Sequence, residues 1–104
     1  MEINGKNYIL KYGLRAMFAW EEMTGKSFEI KTLLDTYCFC YACIISNQEN
    51  PSLEFNEFID WCDEHPETIS EFNDFMNQQL TRRDILSGDK KKVVKRGRPK
   101  KNSQ

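Results

Sequence analysis

Ile30-Lys-Thr-Leu-Leu-Asp-Thr-Tyr-Cys-Phe-Cys-Tyr-Ala-Cys-Ile-Ile-Ser46 is the stretch on which the fold turns. Its spacing predicts a helix over 30–46 with Leu33, Leu34, Tyr37, Tyr41, Ile44 and Ile45 on one face and Phe39, Cys40 and Cys43 covering the other. A helix that is apolar all round has to be enclosed, by neighbours or by a partner. It is therefore the expected centre of the domain. Its longest apolar run, 37–45, is far short of the ~20 residues that span a bilayer.

Toward the N-terminus, Glu2-Ile-Asn-Gly-Lys-Asn-Tyr-Ile-Leu-Lys-Tyr12 predicts a β-hairpin, because Asn4-Gly5 suits the positive φ angles of a type I′ turn. The first arm is short, so the hairpin is expected to dock on helices. Gly13 ends it, and a helix over 14–24 follows, with Leu14, Met17, Phe18 and Glu21 at helical spacing, Trp20 nearby and Gly25 as terminator.

Toward the C-terminus, Asn47-Gln-Glu-Asn-Pro51 predicts a loop. A helix over 55–64 presents Phe55, Phe58, Ile59 and Cys62 on one side. Pro66 suits the first turn of a last helix, with Thr68 and Glu71 as an alternative capping box. The expected inner face of that helix is Ile69, Phe72, Phe75, Met76 and Leu80, and Arg82-Arg83 suit its C-terminal dipole. The expected fold class is thus α+β, mainly α: a short hairpin, about four helices, and a disordered basic tail.

Charge divides the chain in two. Residues 1–86 hold fifteen Asp and Glu against seven Lys and Arg, while 87–104 hold eight Lys and Arg against one acid, so the overall net of −1 hides about −8 and +7. The first part holds all thirteen aromatic residues and is expected to form one small domain, burying roughly 60–65% of the surface its unfolded chain exposes. The second is expected to stay disordered and to seek polyanions. Between Thr32 and Thr81 no Lys or Arg occurs, but Asp35, Glu49, Glu54, Glu57, Asp60, Asp63, Glu64, Glu67, Glu71 and Asp74 do. They read either as a solvated outer face of the last two helices or as a docking surface for a basic partner, the chain's own tail included.

Met1-Glu-Ile-Asn-Gly5 has neither a basic start nor an apolar signal core, and a cytoplasmic location is expected. Four cysteines in a reducing compartment read as buried thiols without a disulfide. Cys40-Tyr-Ala-Cys43 with Cys62-Asp-Glu-His65 matches a zinc spacing, but the first pair lies inside an apolar helical run and lacks turn residues, so no metal is assigned. His65 is the only histidine, and the sequence offers no phosphate loop, nucleophile elbow or His-Glu-x-x-His. The chain is read as noncatalytic, with no cofactor.

The stretch Ile9-Leu-Lys-Tyr-Gly-Leu-Arg-Ala-Met17, continuing through Glu21-Glu-Met-Thr-Gly-Lys26, resembles the opening of phage tail assembly chaperones. The resemblance continues as a pattern through Leu33 to Ile45, Asn50-Pro51 and Phe55-Asn-Glu-Phe-Ile-Asp60, covering about 1–75. It implies a small helical protein of the bacterial host cytoplasm that binds a long, helical tape measure-type protein and helps to recruit tail-tube subunits. Helix-in-groove recognition suits such a partner, and Phe39, Cys43, Phe58, Trp61 and Phe72 are the candidate contact residues. Many such genes also give a frameshifted longer product, and Lys90-Lys91-Lys92 is compatible with a slippery adenine run.

The tail segment Lys95-Arg-Gly-Arg-Pro-Lys-Lys101 contains the Arg-Gly-Arg-Pro core of an AT-hook. Gly97 lets the backbone approach the floor of an A·T minor groove, Arg96 and Arg98 enter its negative potential, and Pro99 restrains the exit. Lys95, Lys100 and Lys101, with the Lys90 run, suit phosphates. The alternatives are nonspecific electrostatic binding or a protein-docking tail.

Overall fold

Asn4 and Gly5 take φ of 55° and 78°, the pair of positive angles that a type I′ turn requires. They join β1 (Glu2–Ile3) to β2 (Lys6–Asn7), antiparallel, with Glu2 opposite Asn7 and Ile3 opposite Lys6. This is a computed structural model; it describes residues 1–87, with side chains to residue 81. Backbone pairing continues one step past the strands, where the Tyr8 N–H donates to the Met1 carbonyl at 2.8 Å. The hairpin is shorter than the sequence predicts. Beyond Tyr8 the chain leaves its partner and runs along the end of a helix, held by a Lys11 N–H bond to the Cys43 carbonyl at 3.1 Å.

Four helices follow, α1 (Leu14–Thr24), α2 (Leu33–Ile45), α3 (Phe55–Glu64) and α4 (Glu67–Ser87), giving the expected mainly helical α+β fold. The expected basic tail, including Lys95, Arg96, Gly97, Arg98, Pro99, Lys100 and Lys101, lies outside the described residues, as do the side chains of Arg82 and Arg83.

α1 ends at Gly25, whose φ of 70° turns its N–H back to the Glu21 carbonyl at 2.8 Å. Its inner face differs from the expected one. Ala16 and Trp20 are buried, and Leu14 and Phe18 face solvent at 66% and 58% exposure. The indole sets this orientation: its N–H donates to the Asp35 carbonyl at 3.1 Å and needs that partner once buried. Glu21 is exposed and accepts from the Phe28 N–H at 2.7 Å.

α2 starts three residues later than the sequence suggests, because Thr32 caps it. The Thr32 hydroxyl accepts from the Asp35 N–H at 3.1 Å while the Asp35 carboxylate accepts from the Thr32 N–H at 3.1 Å, a capping box. Asp35 is therefore a buried cap and not part of the outer acidic stripe. The helix is central, as expected, with Cys38, Phe39, Cys40, Ala42, Cys43 and Ile44 buried, whereas Leu33 and Leu34 are largely exposed.

α2 meets the rest of the core on two sides. Phe39 touches Phe28, Tyr12 and Phe72, with ring centroids at 4.8, 6.0 and 6.2 Å. Tyr41 meets Phe55 and Phe58 of α3 at 5.2 and 5.8 Å. α4 begins just after Pro66, and Phe72 is its buried anchor, with Ile69, Phe75 and Met76 packed around the core. The Thr68–Glu71 capping box does not form: Thr68 is buried and accepts from the Trp61 indole at 3.1 Å, and Glu71 lies 3.5 Å from the Met1 ammonium. Leu80, expected inside, is 47% exposed because α4 runs on past the body it packs against. Among the described residues, no helix is long and apolar enough to cross a membrane.

Candidate protein-binding surface

Four of the five candidate contact residues are core. Phe39, Cys43, Phe58 and Phe72 are at most 2% exposed, so a docked protein reaches none of them without opening the domain. The physical reason is α2, which passes through the middle and buries its Phe39–Cys43 side against the domain's own aromatic rings. Trp61 alone reaches the surface. It is half-buried, and its ring stacks on His65 with centroids 3.6 Å apart and planes at 9°.

The exposed apolar surface lies elsewhere, at the start of α2. The capping box makes Leu33 and Leu34 the first two helical residues, and they project past the enclosed part of the helix at 74% and 62% exposure. With Tyr37 from the next turn and Ile59 from α3 they form a shallow groove, floored by Cys62 and edged by Asp63. Phe58 fixes one wall, its ring 6.5 Å from that of Tyr37. On the α3 side exposed Asp63 stands at the groove, whereas Asp60 and Glu64 line a separate depression with Asn4, Glu57, Trp61 and His65. On the α2 side Lys26 is paired with Asp35 at 3.3 Å and Lys31 with Glu29 at 3.5 Å. The groove is apolar and carries one carboxylate, Asp63, at its edge.

The acidic residues expected on the outer face of the last two helices are exposed: Glu57, Asp60, Asp63 and Glu64 on α3, and Glu67, Glu71 and Asp74 on α4. Glu57 accepts from the Asn4 side chain at 2.8 Å and so ties the hairpin turn to α3.

The thiols are poor ligands and poor nucleophiles. All four are free and buried. Burial pushes Cys43 up to about 12 and Cys62 up to about 11, and it raises Cys38 and Cys40 as well. The His65 Nδ1 lies 3.0 Å from the Trp61 carbonyl. Among the described residues, no group of three or more His, Cys, Asp or Glu is arranged to hold a metal.

Sequence reasoning placed Leu33 and Leu34 on one face of a helix to be enclosed by neighbours or by a partner, and did not single out the groove. The signal that locates it is the Thr32-x-x-Asp35 cap, which marks where the helix starts and hence which leucines overhang. Comparison with known protein families, characterised proteins and solved structures returns no match at any of the three levels.

Proposed function

We propose that this protein is a noncatalytic tail assembly chaperone of the phage or prophage type, acting in the bacterial cytoplasm on an extended helical protein of the tape measure kind and aiding recruitment of tail-tube subunits. The observation that carries this reading is the groove of Leu33, Leu34, Tyr37 and Ile59, which stays open although the domain's own core is filled. A helix with apolar residues at i, i+3, i+4 and i+7 suits such a groove, and a flanking Lys or Arg suits Asp63 at its edge. The resemblance of residues 9–26 to tail assembly chaperones supplies the partner class. Binding of this kind needs neither cofactor nor metal.

A second reading draws on one sequence observation, the Arg96-Gly97-Arg98-Pro99 tail with its net charge of about +7, and makes the protein a small DNA-binding accessory factor. The readings place binding in different parts of the chain. Nuclease-treated pull-downs from source lysate, with full-length protein, the 1–86 truncation and a Leu33→Asp/Leu34→Asp variant as baits, separate them. The chaperone reading expects a long helical tail protein with the first two baits and its loss, at least tenfold, with the double variant. Loss of every partner on truncation or nuclease treatment, with the double variant unaffected, moves the function to the tail and nucleic acid.

A further inference from the structure

A second exposed apolar patch adjoins the other end of α2, and its charges are arranged against the helix that carries them. α1 has a cation, Arg15, in its first turn, and two anions, Glu21 and Glu22, in its last. Both ends are unfavourable for the helix's own dipole, which prefers acids at the N-terminus and bases at the C-terminus. Glu21 is occupied by the Phe28 N–H. Arg15 and Glu22 are exposed, and neither makes a hydrogen bond or salt bridge with any described residue. Between them on the same face by helical spacing stands Phe18, with Leu14 one turn before it, both more than half exposed. Beside Phe18 a shallow groove runs between α1 and the end of α2, lined by Ala19, Ile45, Ser46 and Gln48.

We propose that α1 is a self-association surface, on which two copies of the chain pair their α1 helices antiparallel about a two-fold axis. In the register that sets Phe18 of each copy over the small Ala19 of the other, Arg15 of each falls beside Glu22 of the other. Ala19 lets the helices approach, and Ile45 widens the apolar seat. Antiparallel pairing also lays each Arg15 against the negative helix end of the second copy and each Glu22 against its positive end, so both unfavourable placements within one helix become favourable between two. A two-fold contact must be self-complementary, and an apolar centre with opposite charges at its two ends meets that condition. An unrelated helical partner has no need of this order, whereas a second copy of the chain matches it at both ends.

The contact is small. An eleven-residue helix is about 16 Å long, so the dimer is expected to be weak, with a Kd on the order of 10–100 μM. The inference is independent of the chaperone reading, because it uses the α1 face and leaves the Leu33–Leu34 groove open. Sedimentation equilibrium of the full chain, from about 5 μM to about 1 mM, tests it. Each run is repeated at high salt, to remove any association of the basic tail of one copy with the acidic body of another.

The dimer is expected to persist at high salt on its apolar centre and to be tighter at low salt, where the Arg15–Glu22 pairs are less screened. Phe18→Glu should weaken it more than tenfold, and Arg15→Glu or Glu22→Arg alone should weaken it several-fold. The Arg15→Glu/Glu22→Arg double variant should return to within about threefold of wild type. A chain that stays monomeric to the top of the range overturns the proposal, as does a dimer indifferent to Phe18→Glu. A double reversal no better than the single variants overturns the antiparallel register. All three positions are exposed, so circular dichroism should show each variant folded. If Phe18→Glu alone is not, the charge series decides.

Discussion

Asp35 holds the start of α2 to α1 through both its carboxylate and its carbonyl. Its carboxylate accepts from the Lys31 and Thr32 N–H groups at 3.0 and 3.1 Å and from the Lys26 ammonium at 3.3 Å, and its carbonyl receives the buried Trp20 indole. Lys26 in turn sits 5.6 Å from the centre of the Trp20 ring. The Thr24-Gly25-Lys26 turn is therefore a structural joint between α1 and α2, with the Thr24 hydroxyl donating to the Trp20 carbonyl at 2.9 Å. The Lys31 N–H first, then Thr32 and Lys26, hold the Asp35 carboxyl below its ordinary value, against the opposing effect of burial. A folded-state pKa that is lowered stabilises the protein above the unfolded value, near ~4, and that contribution is lost as pH falls through the folded value. Asp35→Asn keeps the shape and removes the charge. Its urea midpoint should start lower than wild type at neutral pH and fall less steeply below about pH 4; parallel curves would show that the carboxylate does not carry the effect. Thr32→Ala should cost about 1 kcal/mol through the other half of the capping box. The cap was legible as Thr32-x-x-Asp35, but a charge count places Asp35 among surface acids, because a count contains no positions.

Elements were more legible than their faces. The bounds of α1 and α3 follow from Gly25, Pro51 and the apolar spacing, and Asn4-Gly5 marks the turn. Periodicity shows that an apolar stripe exists without saying which stripe the rest of the chain will cover. On α1 the competing stripes were Leu14/Phe18 and Ala16/Trp20, and the larger ring with its polar tip took the inside. The stretch Asn47 to Pro51, read as a loop, contains a second joint. The Asn50 side-chain amide donates to the carbonyls of Ile9 and Ile44, both at 2.8 Å, and its oxygen accepts from the Ile9 N–H at 2.9 Å. One side chain thus does for the post-hairpin strand what a neighbouring strand would do, and it also caps the end of α2. Asn50→Ala should cost about 1–3 kcal/mol, since it removes the partner of the Ile9 N–H and carbonyl and one donor to the Ile44 carbonyl, which keeps the Asn47 N–H. Hydrogen exchange should localise the damage: the Ile9 amide loses protection, and the Tyr8 amide, bonded to Met1, keeps it. Equal loss at both would mean that the hairpin depends on α2 as a whole.

At the scale of the molecule, two separations organise the described residues: the thiols and most aromatic residues inside, the acids other than Asp35 outside. The first was visible as composition, thirteen rings and four cysteines ahead of a basic end. Its consequence needed the packing, because buried thiols act only as protonated, apolar groups. Burial holds Cys43 up to about 12 and Cys62 up to about 11, whereas the unfolded chain ionises near ~8.5. Above that pH the folded state binds more protons than the unfolded one, so stability falls with rising pH until the folded values are reached. Tyr8, Tyr37 and Tyr41, raised chiefly by burial, add to the loss at its upper end. The domain should therefore be weakened by alkali sooner than its surface charge suggests, each fully buried thiol contributing up to about 1.4 kcal/mol per pH unit. Cys43→Ala should be less stable than wild type at pH 7, because a cavity replaces the sulfur, and should lose less between about pH 9 and 11. A chromogenic disulfide reagent should label native protein slowly at neutral pH and all four thiols at once in urea. Rapid labelling of the native state, together with identical alkaline slopes for wild type and Cys43→Ala, would place the thiols at the surface and remove α2 from the centre of the fold.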